Sequence, residues 1–297
     1  MPASSSCDLA IVGGGLAGAL IALAAHARHP ALTLRLIERG DRFGGNHLWS
    51  FFASDVDDAA AALLAPLVAQ RWDGHEVRFP AHARTLAGAY NSITSERLDA
   101  RLRAALPAEA LLTRRQVAAC SATAVILHGG ERIEARGVID ARGPGDLALL
   151  DCGWQKFVGI ERTVAGGHGL DRPVVMDATV AQLDGYRFVY CLPFDDRRLF
   201  VEDTYYSEDP ALDVATVARR IDDYAAAHGW RDGSGNESRP ADPPRRESGV
   251  LPVVIGGDFE GYWRSGGNRV AKAGARAGLF HPTTGYSLPD AARMALL

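Results

Sequence analysis

The sequence predicts a mixed α/β (α+β) chain with a parallel, nucleotide-type sheet at its start and an antiparallel sheet later. Two observations carry this. The apolar run Asp8-Leu9-Ala10-Ile11-Val12 breaks into Gly13-Gly14-Gly15 and resumes as an Ala/Leu-rich stretch, as a buried parallel strand feeding a helix does. Later, β-prone segments at 173–178, 186–192 and 199–204 follow one another through turns rather than helices, as antiparallel strands do. With 297 residues there is room for one large domain or two modest ones. Apolar residues at 47% and charged residues at 23% exclude a disordered or collagen-like chain. A net charge of −4 argues against a dedicated nucleic-acid binder.

Cys7, Cys120, Cys152 and Cys191 form no CxxC pair, so neither a metal cluster nor a disulfide framework is expected, and a reducing compartment fits. No HExxH or similar ligand spacing occurs either, and no metal is expected. Residues 9–25 are uncharged, but this run of 17 falls short of a membrane span and is interrupted by three glycines. No Lys or Arg precedes it, which argues against a signal peptide. A soluble or peripheral chain is expected.

The elements follow in order. A helix spans 16–29 and stops at Pro30, and 33–38 alternates as a second strand, completing a β-α-β unit. An Ala-rich helix is expected around 59–69, then a strand over 76–79. Thr94 and Ser95 cap a helix over 96–106 with Leu98, Leu102 and Leu106 on one face. Short strands fill 111–141, with a hairpin turned at His128-Gly129-Gly130-Glu131. Asp213 caps a helix placing Val214, Val217, Ile221 and Tyr224 in register, closed by Gly229. Residues 231–248 read as a loop, 249–255 as a strand, and a last helix begins at Pro289.

Gly13-Gly14-Gly15-Leu16-Ala17-Gly18 satisfies GxGxxG between strand and helix, and Glu38 lies 20 residues after Gly18. Gly13 permits the tight turn, Gly15 lets a pyrophosphate approach the backbone, and Gly18 lets helix pack on strand. The N–H groups of Gly15, Leu16 and Ala17 at the helix start would meet the phosphates, and Glu38 the ribose hydroxyls. The motif alone does not separate FAD from NAD. Gly44-Gly45-Asn46-His47 and the turn Ile139-Asp140-Ala141-Arg142-Gly143 resemble elements of flavoproteins in which the cofactor lies extended, and the stretch from Gly274 through His281 and Gly285 to Tyr286 resembles their final flavin loop, which favours FAD. His47, Asp140, His281 and Gly285 are accordingly candidate cofactor contacts.

Between Tyr186 and Tyr206 stand seven aromatics in 21 positions, where the chain's 8% aromatic content would give about two. Alternation places Tyr186, Phe188 and Tyr190 on one face, and Glu202 on a face with Phe200 and Thr204, opposite Asp203. Two readings stay open: a sheet core with an edge carboxylate, or an apolar pocket holding one carboxyl group. Burial in such a pocket raises a Glu pKa by up to about 3–5 units, making Glu202 a candidate proton donor.

These stretches together resemble the bacterial lycopene β-cyclases. The matching residues include 8–18, Gly44-Gly45-Asn46-His47-Leu48-Trp49-Ser50-Phe51, Gly185-Tyr186-Arg187-Phe188-Val189-Tyr190, Val201-Glu202-Asp203-Thr204-Tyr205-Tyr206, Gly249-Val250-Leu251-Pro252 and 276–287. The resemblance implies a Rossmann-like FAD-binding domain of the flavoprotein monooxygenase type with an antiparallel β-sheet substrate domain. It also implies non-redox closure of the ψ-ends of lycopene to β-ionone rings, giving γ-carotene and then β-carotene. The cofactor would be reduced FAD, with NAD(P)H as reductant, and Glu202 would match the family's essential acid. The FAD-binding domain would comprise 1–50, 91–150 and 265–297, the substrate domain 51–90 and 151–264. The family's chains continue beyond the final flavin loop, so a C-terminal part of the fold is expected to be absent here. The substrate dissolves in bilayers, which implies peripheral attachment to a membrane lipid surface on the cytoplasmic side. The alternatives kept open are a flavin monooxygenase, a double-bond reductase, and an inactive flavin-binding fragment. Arg276 stands where many related flavoproteins have an Asp.

Overall fold

The computed structural model describes residues 5–183, 185–233, 244–267 and 269–297. Strands β1 (Ser5–Val12) and β2 (Leu34–Ile37) flank helix α1 (Leu16–Arg28). Then come β3 (Leu48–Phe52), α2 (Asp58–Leu64), β4 (Val68–Phe79), β5 (His82–Thr94) and α3 (Ser95–Ala105). The middle of the chain forms β6 (Leu111–Leu112), β7 (Val117–Cys120), β8 (Ala124–Leu127), β9 (Arg132–Asp140), β10 (Leu150–Thr163) and β11 (Val174–Asp177). The remainder forms β12 (Arg187–Pro193), β13 (Arg198–Ser207), α4 (Val214–Ala227), β14 (Arg246–Gly257), α5 (Phe259–Arg264), β15 (Ala271–Lys272) and α6 (Leu288–Leu296).

The chain divides into two compact units. The first comprises Met1–Ala69, Asn91–Asp151 and Ile255–Leu297, so that 51–69 and 255–264 fall in it; the second comprises Gln70–Tyr90 and Cys152–Val254.

In the first unit the strand order is β6-β2-β1-β9-β8-β7, with β15 also on β9. β1 pairs in parallel with β2 on one side and β9 on the other. The chain therefore turns from β1 through α1 to one neighbour and reaches the other only much later, which is the switch point at which α/β sheets bind ligands. Ala10, Ile11 and Val12 are buried because both faces of β1 are covered. On one face lie Leu20, Leu23, Leu98 and Leu102 of α1 and α3 with Ala291 and Ala292 of α6; on the other, Val125, Ile133 and Val138. Thr94 caps α3 by accepting from the Arg97 N–H. The Ala-rich helix is shorter than its composition suggests. α2 ends at Leu64, and Pro66 draws the chain into a single tight turn, Ala65–Leu67.

In the second unit the strand order runs β14-β10-β13-β12-β11-β4-β5. β10, β13 and β12 are antiparallel neighbours in unbroken register, whereas β11 pairs in parallel with β4. α4 closes one face. Its Val217, Ile221 and Tyr224 pack on Val158, Ile160, Val189 and Val201, while Val214, expected in the same stripe, is exposed at the first turn. Of the 231–248 stretch read as a loop, 234–243 lie outside the described residues, and β14 already begins at Arg246.

Candidate active site

Within the first unit the glycine turn is built by close approaches. Gly13 sits at φ +101°, and a Cβ there would lie 2.8 Å from the Ala141 carbonyl carbon, so only glycine lets β1 run this close to the turn after β9. A Cβ on Gly18 would stand 2.0 Å from the Gly13 oxygen, which is why α1 can start directly against the strand. Gly15 differs. A Cβ there would meet nothing within 4 Å, so the start of α1, where Gly15, Leu16 and Ala17 present their N–H groups, opens onto free space.

Other segments of this unit converge on the turn. Gly44 N–H donates to the Gly14 oxygen at 2.7 Å, bringing the 44–47 loop alongside. Gly274, at φ +58°, approaches so closely that its Cβ would lie 2.7 Å from that of Ala17. Glu38 accepts from Gly14 N–H through Oε2 and from Gly40 N–H through Oε1, both at 2.8 Å, and thereby props the loop. His47 is exposed, with its ring 5.9 Å from that of Trp49. His281 is exposed too; its Nδ1 accepts from the Thr283 and Thr284 N–H groups, and Gly285, at φ +69°, donates to its carbonyl.

Asp140 has no exposed surface. Its carboxylate takes Arg142 Nε and Nη2 at 2.9 Å and Arg276 Nε at 3.0 Å. Burial works against its ionised form, but the bonds and charge of Arg142, with Arg276, outweigh it and hold the carboxyl below its ordinary value. What Asp140 offers a ligand is the placement of those two arginines. Arg276, unaccounted for by the sequence, is thereby explained as the second cation on this acid.

The second unit holds the acid. The face of its sheet opposite α4 carries Phe157 and Glu161 of β10, Phe188, Tyr190 and Leu192 of β12, and Phe200, Glu202 and Thr204 of β13. Ring centroids of Phe188 and Tyr190 lie 5.1 Å apart, and those of Tyr186 and Phe188 5.7 Å. Tyr205 and Phe194, two of the seven clustered aromatics, go elsewhere. Tyr205 lies in the core under α4, and Phe194 meets Trp72 edge-on.

Glu202 is half-buried, and its Oε1 accepts from Thr204 Oγ1 at 2.9 Å. In register it stands between Tyr190 of β12 and Gly159 of β10. On the far side of Gly159 comes Glu247. Glu161 N–H donates to the Arg245 oxygen, which fixes Glu247 opposite Gly159, and the Glu247 carboxyl is hydrogen-bonded to that of Glu202. Burial pushes the Glu202 carboxyl up to about 7, against the hydrogen bonds of Thr204 and Glu247, and the charge of Asp203 adds to the rise. Glu247 is itself buried, with Arg245 Nη1 at 3.7 Å from its Oε2. Sequence reasoning missed Glu247 because its surroundings are rich in Gly, Ser, Pro and charge. The signal available was the alternation of Arg245, Glu247 and Gly249 at strand spacing. No group of His, Cys, Asp and Glu able to hold a metal occurs among the described residues.

Residues 8–297 match the family model described as lycopene cyclase protein. The chain belongs to the lycopene cyclase family. The lycopene β-cyclase of Pseudescherichia vulneris is 44% identical over 288 residues, covering 97% of this chain and 72% of that one. The lycopene β-cyclase of Pantoea ananas is 41% identical with the same coverage. Among solved structures, a probable FAD-dependent monooxygenase from Pseudomonas aeruginosa aligns over 98% of this chain and 84% of its own, with a TM-score of 0.65 at 17% identity. That likeness concerns the fold, which this lycopene cyclase family member thus shares with flavoprotein monooxygenases.

Proposed function

We propose that this chain closes the acyclic ends of lycopene to β-ionone rings, through γ-carotene to β-carotene, with Glu202 handling the proton. The observation that carries the reading is the Glu202 carboxyl, set at about 7 on an aromatic face of a lycopene cyclase family member. At neutral pH such a group is protonated in a large fraction of molecules and still able to give its proton up.

The first unit fits a dinucleotide. The open space over Gly15 at the start of α1, the glycine-only approaches at Gly13 and Gly18, and Glu38 at the end of β2 are what FAD requires. Gly13, Gly15, Leu16, Ala17 and Gly18 would hold the pyrophosphate, and Glu38 would turn its remaining lone pairs to the ribose. His47, His281 and Gly285 would border the flavin, with Asp140 acting through Arg142. When bound and reduced by NAD(P)H, the flavin supplies negative charge that favours a cationic intermediate.

The remaining chemistry belongs to the chain's own side chains. The proton on Glu202 goes to C2 of the terminal C1–C2 double bond, leaving a tertiary cation at C1. The C5–C6 π electrons then form the C1–C6 bond, and the charge moves to C5. Loss of the C6 proton restores neutrality and creates the C5–C6 double bond of the β-ring. Phe188, Tyr190 and Phe200 present π-faces that favour the cation by about 0.5–2 kcal/mol each and keep water from capturing it. Among the described residues no helix is long and apolar enough to cross a membrane, so we place uptake of the bilayer-dissolved substrate at a peripheral contact with the cytoplasmic lipid surface.

The test is an anaerobic assay of the purified chain with lycopene and dithionite-reduced FAD. Cyclised product of unchanged mass is expected, with activity falling at least about 100-fold in Glu202→Gln, while that variant, purified in air before reduction, is as yellow as wild type. A product that gains oxygen or hydrogen, or a Glu202→Gln variant with near-normal turnover, overturns the reading.

A further inference from the structure

We infer that Glu161 is a second catalytic acid-base group of the cyclisation, the carboxylate that takes the proton from C6 after Glu202 has delivered one to C2. The inference rests on the reading of Glu202 as the proton donor.

Register puts the two acids on one face of the sheet. β10 pairs with β13 so that Gly159 stands opposite Glu202, and Glu161 opposite Phe200. Glu161 and Glu202 are therefore diagonal neighbours, roughly 7 Å apart at Cβ in such a ladder. The Phe200 ring crosses the other diagonal, since a Cβ on Gly159 would lie 2.1 Å from its Cζ. The two carboxyls thus stand on either side of that ring, near enough for both to reach one closing six-membered ring.

Nothing in the packing calls for an acid at position 161. β10 runs between β13 and β14, where Glu161 N–H donates to the Arg245 oxygen at 2.8 Å. Next to it on this face stand Phe200 and, beyond that, Leu192, both buried. An interior strand among such neighbours favours an apolar side chain. The other buried acids of this unit have structural partners. Asp177 accepts from Tyr224 Oη at 2.7 Å, Asp203 accepts from Arg187, and Glu247 lies 3.7 Å from Arg245. Glu161 is half-buried, and among the described residues its carboxyl has neither a hydrogen bond nor an ion pair. An acid held on an apolar face with no partner in the fold is placed to find one in a substrate.

The surroundings divide the roles. Burial lifts both carboxyls, but at Glu161 the charge of Arg198 opposes the lift, with Asp195 adding to it, whereas no cation opposes it at Glu202. The protonated donor is favoured at 202 and the ionised acceptor at 161. The proton of Glu202 bonds to C2, and the C1–C6 bond forms. The C6–H bond then breaks, its electron pair becomes the C5–C6 π bond, and its proton passes to a Glu161 oxygen. Glu161 releases that proton to solvent and Glu202 regains one, so a turnover consumes none.

The experiment compares the purified full chain with Glu161→Gln and Glu161→Asp, using reduced FAD and lycopene without oxygen, and separates the ring isomers by chromatography. With the acceptor removed, the cation at C5 still forms but loses its proton from C4 or from the C5 methyl group. Glu161→Gln should turn over at least about tenfold more slowly and give rings with a C4–C5 or an exocyclic double bond. Glu161→Asp, a methylene shorter, should give a mixture of these with β-rings.

β-Rings alone from Glu161→Gln, at whatever speed, overturn the inference, because a residue that merely shapes the sheet changes the rate and not the carbon that loses the proton. Where Glu161→Gln does not fold or yields no product, the rings made by Glu161→Asp decide in the same way. Loss of every product from both variants also overturns it, since a group that acts after C2 is protonated is not needed for the cation to form. A wild-type chain that makes no cyclised product removes the substrate reading itself, so the two failures are told apart.

Discussion

Glu202 and Asp203 are consecutive residues of β13, and the two faces of one sheet give them opposite surroundings. Asp203, wholly buried under α4 among Val158, Ile160, Val189 and Val201, is gripped by Arg187, whose Nε lies 3.0 and 2.9 Å from its two oxygens. Arg187 is anchored in turn by the Ala181 carbonyl at 3.0 Å. Glu202 has no guanidinium within such reach; its partners are a hydroxyl and another carboxyl. A buried acid must be neutralised by a counter-charge or by a proton. The first solution leaves a fixed ionised group that serves the core. The second leaves a group whose proton can be handed over, and only that face can do acid chemistry.

The largest effect should come from breaking the first solution. Arg187→Met leaves Asp203 charged and unpaired at full burial, and we expect a loss of about 3–5 kcal/mol of unfolding free energy, read from urea denaturation at pH 7. Glu202→Gln, measured in the same way, should not destabilise. If Arg187→Met costs under about 1 kcal/mol, the contrast between the faces is wrong.

How far the sequence disclosed each region follows from the same contrast. The nucleotide turn is made of backbone, and its requirements are local. Glycines at 13, 15 and 18 encode the positive φ, the open helix start and the contact of 2.0 Å in a run of six residues. The acid face is made of side chains from four strands, and what brings them together is register. Alternation along β13 alone assigned Glu202 and Asp203 to opposite faces. It could not find β10, where Val158 and Ile160 alternate with Phe157, Gly159 and Glu161, so that neither face of the strand reads as plainly apolar or polar. Nor could it find β5, whose first eight residues are largely exposed and include three alanines and a glycine; there pairing supplies what propensity lacks. Glu247 was hidden for both reasons, lying beside a polar stretch and acquiring its partner only across β10.

A second test concerns the stability of the acid face with pH. A carboxyl whose folded-state pKa of about 7 lies above its ordinary 4.5 binds its proton more tightly when folded. Its stabilising contribution is therefore complete below pH 4.5 and is lost as the pH climbs through 7. Between these limits wild type should lose about 2 kcal/mol of unfolding free energy relative to Glu202→Gln, which has no such group to titrate. Parallel stability curves for the two proteins would place Glu202 with Asp203, as a second fixed charge.

The smallest effect comes from a single donor. Thr204 Oγ1 donates to Glu202 Oε1 and so favours the ionised carboxylate. Thr204→Val preserves the shape of this buried, β-branched side chain and removes only the donor. The Glu202 midpoint should then rise by roughly half a unit to one unit, worth about 1 kcal/mol, and be read from the carbonyl stretch of the protonated carboxyl in a difference infrared titration. The hydrogen bond of Glu247 works in the same direction as that of Thr204, so its removal should move the midpoint up as well. A midpoint that moves in neither variant would mean that burial alone sets the group, and that its two partners merely fill space.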